Sequence, residues 1–131
     1  MNWSDIPSQR PRTLHVANLD RLGGDYNPGA DRAVTTNVDE ANVISSIGTD
    51  GIFGYHYPVL DLDIPAHLVP SSTPGNSHLY IDVALTADQM WTLCDALAEV
   101  GILQPGYVAA CKARGYTSVR LPWVKKAEVS A

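Results

Sequence analysis

The chain has 131 residues, a net charge of −5, an apolar fraction of 45% and a charged fraction of 18%. This length predicts a single domain covering residues 1–131, and the composition excludes a disordered chain, which needs fewer apolar residues and more net charge. The sequence shows no apolar run of membrane-spanning length and no signal peptide, so we expect a cytoplasmic protein with no membrane partner.

The first part of the chain predicts short strands separated by loops. Residues 1–12 are polar and rich in proline, arginine and serine, which predicts a flexible N-terminal arm. Residues 13–19 alternate as a short strand, whereas residues 20–40 contain Gly-Gly, Asn-Pro-Gly and several aspartates and predict a mobile loop. Residues 42–57 combine a β-prone segment with a Gly-Thr-Asp-Gly turn, which predicts a hairpin.

Two clearer strands follow, in which apolar and polar residues alternate. They are residues 57–64 (YPVLDLDI) and residues 77–85 (SHLYIDVAL). Between them, residues 65–76 contain three prolines and one glycine, which indicates a turn-rich connector and not a crossover helix. We therefore expect the two strands to pair antiparallel.

After residue 85, the spacing of the apolar residues changes from every second residue, as in a strand, to the spacing of a helix. Thr86, with Gln89 three residues later, has the form of a capping box and precedes an apolar stripe at helical spacing. A second helix is predicted from Pro105 to Gly115, and residues 116–123 alternate as a closing strand. Together these elements predict an α+β fold: a mostly antiparallel sheet of about four to five strands, with two helices packed on one face.

The polar residues of the two clearer strands form a candidate metal site. Because residues two apart share a face of a strand, Asp61 and Asp63 project together, and so do His78 and Asp82. Carboxylates that lie close together repel each other unless a cation such as Mg²⁺ or Mn²⁺ neutralises them. The pattern predicts Asp61, Asp63 and Asp82 as metal ligands; a plain solvated face and a polar binding surface without metal remain open alternatives.

Further residues are candidates for binding an anionic ligand. Ser72 and Thr73 lie in a connector rich in small hydroxyl residues, and such loops present backbone N–H groups to phosphates, although most are simple turns. Arg120 is a second candidate anion contact, with an ordinary surface charge as the alternative.

The runs VLDLDIP and SSTPGNSHLYIDV resemble the two central motifs of the archaeo-eukaryotic primase superfamily. The resemblance implies that Asp61 and Asp63 bind the catalytic divalent ions and that His78 contacts the phosphates of a nucleotide. It also implies that Ser72 and Thr73 fall in the phosphate loop.

The chain departs from that family pattern in two respects. The connector between the motifs is shorter than in the family, and the only acidic residue after position 100 is Glu128. A third catalytic acid is therefore missing from its expected place. A looser resemblance, based on PVLDLD, HLYID and RGYTSVRLPWVKK, is to short proteins of actinobacteria and their phages, and it implies a source without an activity.

Two functions follow from the sequence. The first is a small phage-type or bacterial accessory protein that is not an enzyme and binds a ligand, a host protein or further copies of itself, in the host cytoplasm if it is phage-encoded. The alternative is a metal-dependent nucleotide or nucleic-acid binding site related to the primase–polymerases.

Overall fold

A computed structural model of the protein describes residues 11–17, 32–49 and 54–124. These residues contain five strands and two α-helices, and the strands form two small antiparallel sheets. The α+β class is therefore confirmed. The described strands are divided between a three-stranded and a two-stranded sheet, so each sheet has fewer strands than the four to five predicted.

The chain divides into two compact units, residues 1–61 and 62–131. The single domain predicted from chain length remains a prediction. The predicted N-terminal arm lies outside the described residues except at its last two positions, and so do residues 20–31 of the predicted mobile loop.

The first unit contains a three-stranded antiparallel sheet in the order β2-β1-β3. Strands β1 (Arg12–Ala17) and β3 (Val43–Gly48) confirm the strands predicted there. Strand β2 (Arg32–Thr35) lies within the predicted loop, so the loop is shorter than expected. The physical reason is that β-prone valine and threonine residues end the polar stretch and pair with β1.

The buried face of β1 contains two polar residues and one apolar residue. It consists of Thr13, His15 and Ala17. The Thr13 hydroxyl donates a hydrogen bond to the Ile47 carbonyl (3.0 Å), and the His15 Nε2 atom lies 2.9 Å from the Ser45 hydroxyl. Because buried polar groups require hydrogen-bond partners, side-chain hydrogen bonds fix how β3 lies against β1.

The predicted hairpin at residues 42–57 is confirmed by an antiparallel bridge between Ile47 and His56. The tip of this hairpin lies outside the described residues. The Arg12 guanidinium fixes the returning segment, since its Nε donates to the Tyr57 carbonyl (2.9 Å) and its Nη2 to the Pro58 carbonyl (3.0 Å).

The predicted strand at residues 57–64 is wrong, because these residues form no strand in the structure. Two of its carbonyl groups accept hydrogen bonds from Arg12, and Pro58 has no backbone N–H to donate to a ladder. The second unit instead begins with β4 (Ala66–Pro70), inside the predicted connector. It pairs antiparallel with β5 (Ser77–Ile81), which is shorter than the strand predicted at 77–85.

Both predicted helices are confirmed. Helix α1 (Ala87–Glu99) begins with the predicted capping box, in which the Thr86 hydroxyl accepts from the Gln89 N–H and the Gln89 side chain accepts from the Thr86 N–H. Helix α2 (Pro105–Arg114) ends at Gly115, whose φ of 90° lies in the left-handed region that favours glycine. Neither helix is long and apolar enough to cross a membrane, and no other helix occurs in the described part of the chain.

The two helices pack on each other. Their buried contact is made by Cys94, Val108 and Cys111, and beside it the Lys112 ammonium lies 2.7 Å from the Asp95 carboxylate. Within residues 62–124, no Cα atom of either helix lies within 8 Å of a Cα atom of β4 or β5. Within this unit the helices therefore pack on each other and not on the two-stranded sheet.

The contact between the helices changes two titrations. Burial raises the pKa of the Cys94 thiol, and the neighbouring Cys111 raises it further. Burial also raises the pKa of the Tyr107 hydroxyl, with a further rise from its hydrogen bond to Cys111. Both effects favour the neutral form of groups that lie between the helices.

The predicted closing strand at residues 116–123 is wrong, since no strand follows α2 among the described residues. Side chains of α2 hold this segment instead. The Tyr107 hydroxyl donates to the Ser118 carbonyl (3.0 Å), and the Arg114 guanidinium donates to the Ser118 hydroxyl (3.3 Å).

Candidate functional site

The hairpin of β4 and β5 has two distinct faces. Residues directly opposite each other in the ladder share a face, so His67 and Tyr80 lie on the same side as Val69 and His78. The Nδ1 atom of His78 is buried and has no hydrogen-bond partner among the described residues.

The other face of the hairpin is apolar. It contains the opposed pairs Ala66 with Ile81 and Leu68 with Leu79. Leu68 is 63% exposed and Leu79 is 57% exposed, so the middle pair of this face is in contact with solvent. An exposed apolar pair in the centre of a sheet face is the kind of surface that binding covers.

Backbone hydrogen bonds at the two ends of the hairpin show which groups point outward. The Asp82 N–H donates to the Pro65 carbonyl, and the Ser71 N–H donates to the Asn76 carbonyl, both at 3.0 Å. Because hydrogen-bonded and non-hydrogen-bonded pairs alternate in an antiparallel ladder, the pair of Leu68 with Leu79 is a non-hydrogen-bonded one. The backbone groups of Leu79 therefore point away from β4.

The same alternation applies to the rest of β5. The outward positions are Ser77, Leu79 and Ile81, whose N–H groups face the open side of the strand. The Ile81 carbonyl already accepts from the Val83 N–H (3.0 Å). Among the described strands, none pairs with this edge of β5, which has an exposed leucine at its centre.

The predicted metal ligands occupy different parts of the structure. Asp61 is the last residue of the first unit, whereas Asp63 and Asp82 belong to the second. The Asp82 N–H donates a hydrogen bond to the carbonyl of Pro65, two residues after Asp63, so Asp63 and Asp82 both belong to the open end of the hairpin. Among the described residues, no three His, Cys, Asp or Glu side chains are grouped closely enough to hold a metal ion.

His78 lies at the opposite end of the hairpin from Asp82. His78 pairs with Val69, next to the turn. Asp82 follows His78 by four residues of extended chain, which span roughly 13 Å. The structure therefore does not bring His78 together with Asp63 and Asp82.

The predicted phosphate loop is a turn that is closed on itself. The Ser71 hydroxyl accepts from the Thr73 N–H (3.0 Å) and donates to the Thr73 carbonyl (3.2 Å), and the Asn76 N–H donates back to the same carbonyl (3.1 Å). Ser72 and Thr73 are exposed, but the Thr73 N–H is occupied within the turn. The loop thus has fewer backbone donors for a phosphate than its composition indicates.

Arg120 lies in the segment after α2. Its side chain is exposed and makes no hydrogen bond or ion pair with another described residue. This cation is therefore available to a ligand, although no regular element positions it.

Sequence reasoning missed the exposed pair of Leu68 and Leu79. The alternation in HLYI placed Leu79 on the apolar side, but its partner was expected in the Asp-x-Asp segment. The sequence AHLVP, which follows Pro65 and ends with Pro70, was the signal for β4, since strands are often bounded by proline.

Comparison of the chain with protein-family models, with curated proteins and with solved structures found no match.

Proposed function

We propose that this protein is a non-catalytic accessory protein that acts by self-association, and that the β5 edge of one copy pairs with the β5 edge of a second. The observation that carries the proposal is the exposed pair of Leu68 and Leu79 beside an open strand edge. A two-stranded sheet is marginally stable alone in water, so further strands stabilise it.

The two edges of the hairpin differ in how well they accept another strand. Strand β4 is preceded by Pro65 and ends in Pro70, which has no N–H and removes an outward donor from this edge. Strand β5 has the sequence SHLYI, with no proline and no acidic or permanently charged side chain. Since proline and charge are the usual protection against edge pairing, β5 is the unprotected edge.

The sequence of β5 is compatible with pairing to itself. An antiparallel register centred on Leu79 places Leu79 opposite Leu79 of the second copy, His78 opposite Tyr80, and Ser77 opposite Ile81. Like charges directly opposite each other destabilise a pair of strands, and this register places no carboxylates or ammonium groups opposite each other. It also produces a four-stranded sheet.

The same pairing covers apolar surface. In the four-stranded sheet, Leu68 and Leu79 of each copy lie side by side and form one row of four leucines. Each leucine then has an apolar neighbour on the next strand, and removal of apolar surface from water contributes about 25 cal/mol per Å².

Sedimentation velocity on the full chain tests the proposal. We expect a dimer for the wild type and a monomer for Leu79→Asp, because the two aspartates would lie opposite each other in the new ladder. The matched control is Leu121→Asp, since Leu121 is 52% exposed in the same unit but lies outside the hairpin. A wild type that stays monomeric at all concentrations contradicts self-association and leaves a host protein as the occupant of this edge.

The proposal places the protein in the cytoplasm, which for a phage-encoded protein is that of the host. Its two cysteines are free and both are buried, as is usual for reduced thiols in a reducing compartment.

The second candidate function is a metal-dependent nucleotide or nucleic-acid site of the primase–polymerase type. The observation that favours it is the hydrogen bond between Asp82 and Pro65, because this bond brings Asp82 toward Asp63 at the open end of the hairpin. Two carboxylates are a usual part of a Mg²⁺ or Mn²⁺ site. Asp61, the third ligand predicted from the sequence, belongs to the first unit.

A further inference from the structure

The charge of this acidic chain is distributed unevenly. Residues 100–127 contain no acidic residue and five basic ones, namely Lys112, Arg114, Arg120, Lys125 and Lys126. The described part of this stretch after α2 also contains two aromatic residues, Tyr116 and Trp123. We refer to residues 114–123 as the basic–aromatic segment.

Both aromatic rings of the basic–aromatic segment are accessible. Tyr116 is 60% exposed and Trp123 is 75% exposed. A turn in which the Val124 N–H donates to the Leu121 carbonyl (3.0 Å) holds Trp123 at the surface. Large aromatic side chains are normally buried, so two exposed rings within one basic stretch indicate a surface that contacts a partner.

One cation of the segment lies beside one of these rings. The Arg114 guanidinium carbon is 5.9 Å from the centre of the Tyr116 ring, and its Nη2 atom donates to the Ser118 hydroxyl. Arg120 has no partner among the described residues, whereas Lys112 is neutralised by Asp95. One guanidinium is therefore fixed next to a ring and the other is available.

We infer that the basic–aromatic segment binds single-stranded nucleic acid. Exposed rings stack on unpaired bases of any sequence, and neighbouring cations neutralise the phosphates. In this arrangement Tyr116 and Trp123 stack on bases, Arg120 contacts a phosphate, and Arg114 supports the Tyr116 ring. This activity does not depend on pairing of the β5 edge.

An anionic membrane surface fits the segment less well. After Arg114, the last residue of α2, the segment contains Pro122 and no helix, and the N–H groups of residues 117–120 make no backbone hydrogen bond to another described residue. Backbone donors without partners are costly in lipid but are solvated beside a nucleic acid strand. The irregular backbone therefore favours a nucleic acid partner.

Fluorescence anisotropy of labelled oligothymidylate and oligouridylate, titrated with the full chain, tests this inference and distinguishes DNA from RNA. We expect binding at low salt that weakens as salt rises. Trp123→Ala should weaken binding about 5- to 150-fold, as expected for the loss of one stacked base. Arg120→Gln should reduce the salt slope by about 0.7, as expected for one lost phosphate contact.

Tyr55→Ala is the matched control, because Tyr55 is 64% exposed but belongs to the first unit. Circular dichroism should show the same helix content in all variants. The inference is overturned if no binding occurs at low salt, if Trp123→Ala and Tyr55→Ala bind equally, or if the chain co-sediments with phosphatidylserine vesicles and not with oligonucleotides. Leu79→Asp should bind oligonucleotides like the wild type, which separates this result from that of self-association.

Discussion

Leu68 and Leu79 lie opposite each other as a non-hydrogen-bonded pair, and each keeps more than half of its side chain in solvent. Non-hydrogen-bonded pairs bring their side chains closest together in an antiparallel sheet. The two leucines therefore contact each other, yet no described part of the second unit covers them. Their backbone groups point outward as well, so an apolar surface and an open edge coincide at one place.

Proline substitutions on β5 separate edge pairing from folding of the hairpin. Ser77→Pro removes an outward donor at the first position of the strand, where proline is tolerated. Two such donors are lost per dimer, each contributing about 0.5–1.5 kcal/mol, so the dimer Kd should rise about 5- to 150-fold. Sedimentation velocity over a range of concentrations measures this change.

The neighbouring substitution His78→Pro is the control for this experiment. The His78 N–H points toward β4, so its loss should reduce the strand content seen by far-ultraviolet circular dichroism. If Ser77→Pro dimerises like the wild type, the β5 edge is not the interface.

The capping box of α1 should make a measurable contribution to stability. Thr86→Ala removes the acceptor for the Gln89 N–H, and we expect the free energy of unfolding to fall by about 1 kcal/mol. Thr92→Ala is the control, since the Thr92 hydroxyl donates only to the Asp88 carbonyl of its own helix, and it should change stability by less than about 0.5 kcal/mol. Urea unfolding followed by circular dichroism compares the two. Equal losses would show that the cap does not stabilise α1.

The buried thiol of Cys94 predicts a pH dependence of stability. Its pKa is raised in the folded protein, first by burial and then by Cys111, so the folded thiol keeps its proton at a pH where the unfolded thiol ionises. The contribution of the protonated Cys94 thiol to the free energy of unfolding is constant below the ordinary thiol pKa of 9.0 and is lost as the pH rises above that value. Urea unfolding at a series of pH values should therefore show a decline in alkaline solution.

Cys94→Ala should make that alkaline decline shallower. Part of the alkaline loss of stability should remain in this variant, because burial also raises the pKa of Tyr107 above its ordinary value of 10.0. An alkaline decline of the same steepness in Cys94→Ala would show that this thiol does not contribute.

Thermal unfolding with Mn²⁺ distinguishes the two candidate functions. For a self-associating protein without a metal site, we expect millimolar Mn²⁺ to leave Tm unchanged in the wild type, in Asp61→Ala and in Asp63→Ala. A ligand that binds only the folded state raises stability, so a metal site would increase Tm. An increase that disappears in Asp61→Ala would favour the metal-dependent nucleotide site.

The helices could be predicted from sequence because their signals are local. The capping box of Thr86 and Gln89, Pro105 in the first turn, and Gly115 at the end all act within a few residues of the backbone they shape. Each of these features is found in the structure at the predicted position.

The sheets could be predicted only in part, because pairing depends on residues distant in sequence. The alternation of polar and apolar residues correctly placed His78 and Tyr80 on one face of β5, but it could not identify which strand pairs with β5. A tight turn at residues 71–76 selects β4 and not the Asp-x-Asp segment. The predicted cluster of Asp61, Asp63, His78 and Asp82 depended on that choice.

Pro70, the last residue of β4, has a consequence for stoichiometry. If two copies join through β5, the outer edges of the new sheet are both β4, and Pro70 leaves a gap in the donors of each. A third copy cannot form a complete set of backbone hydrogen bonds with either edge. Assembly therefore stops at a dimer with two-fold symmetry and does not continue into a filament.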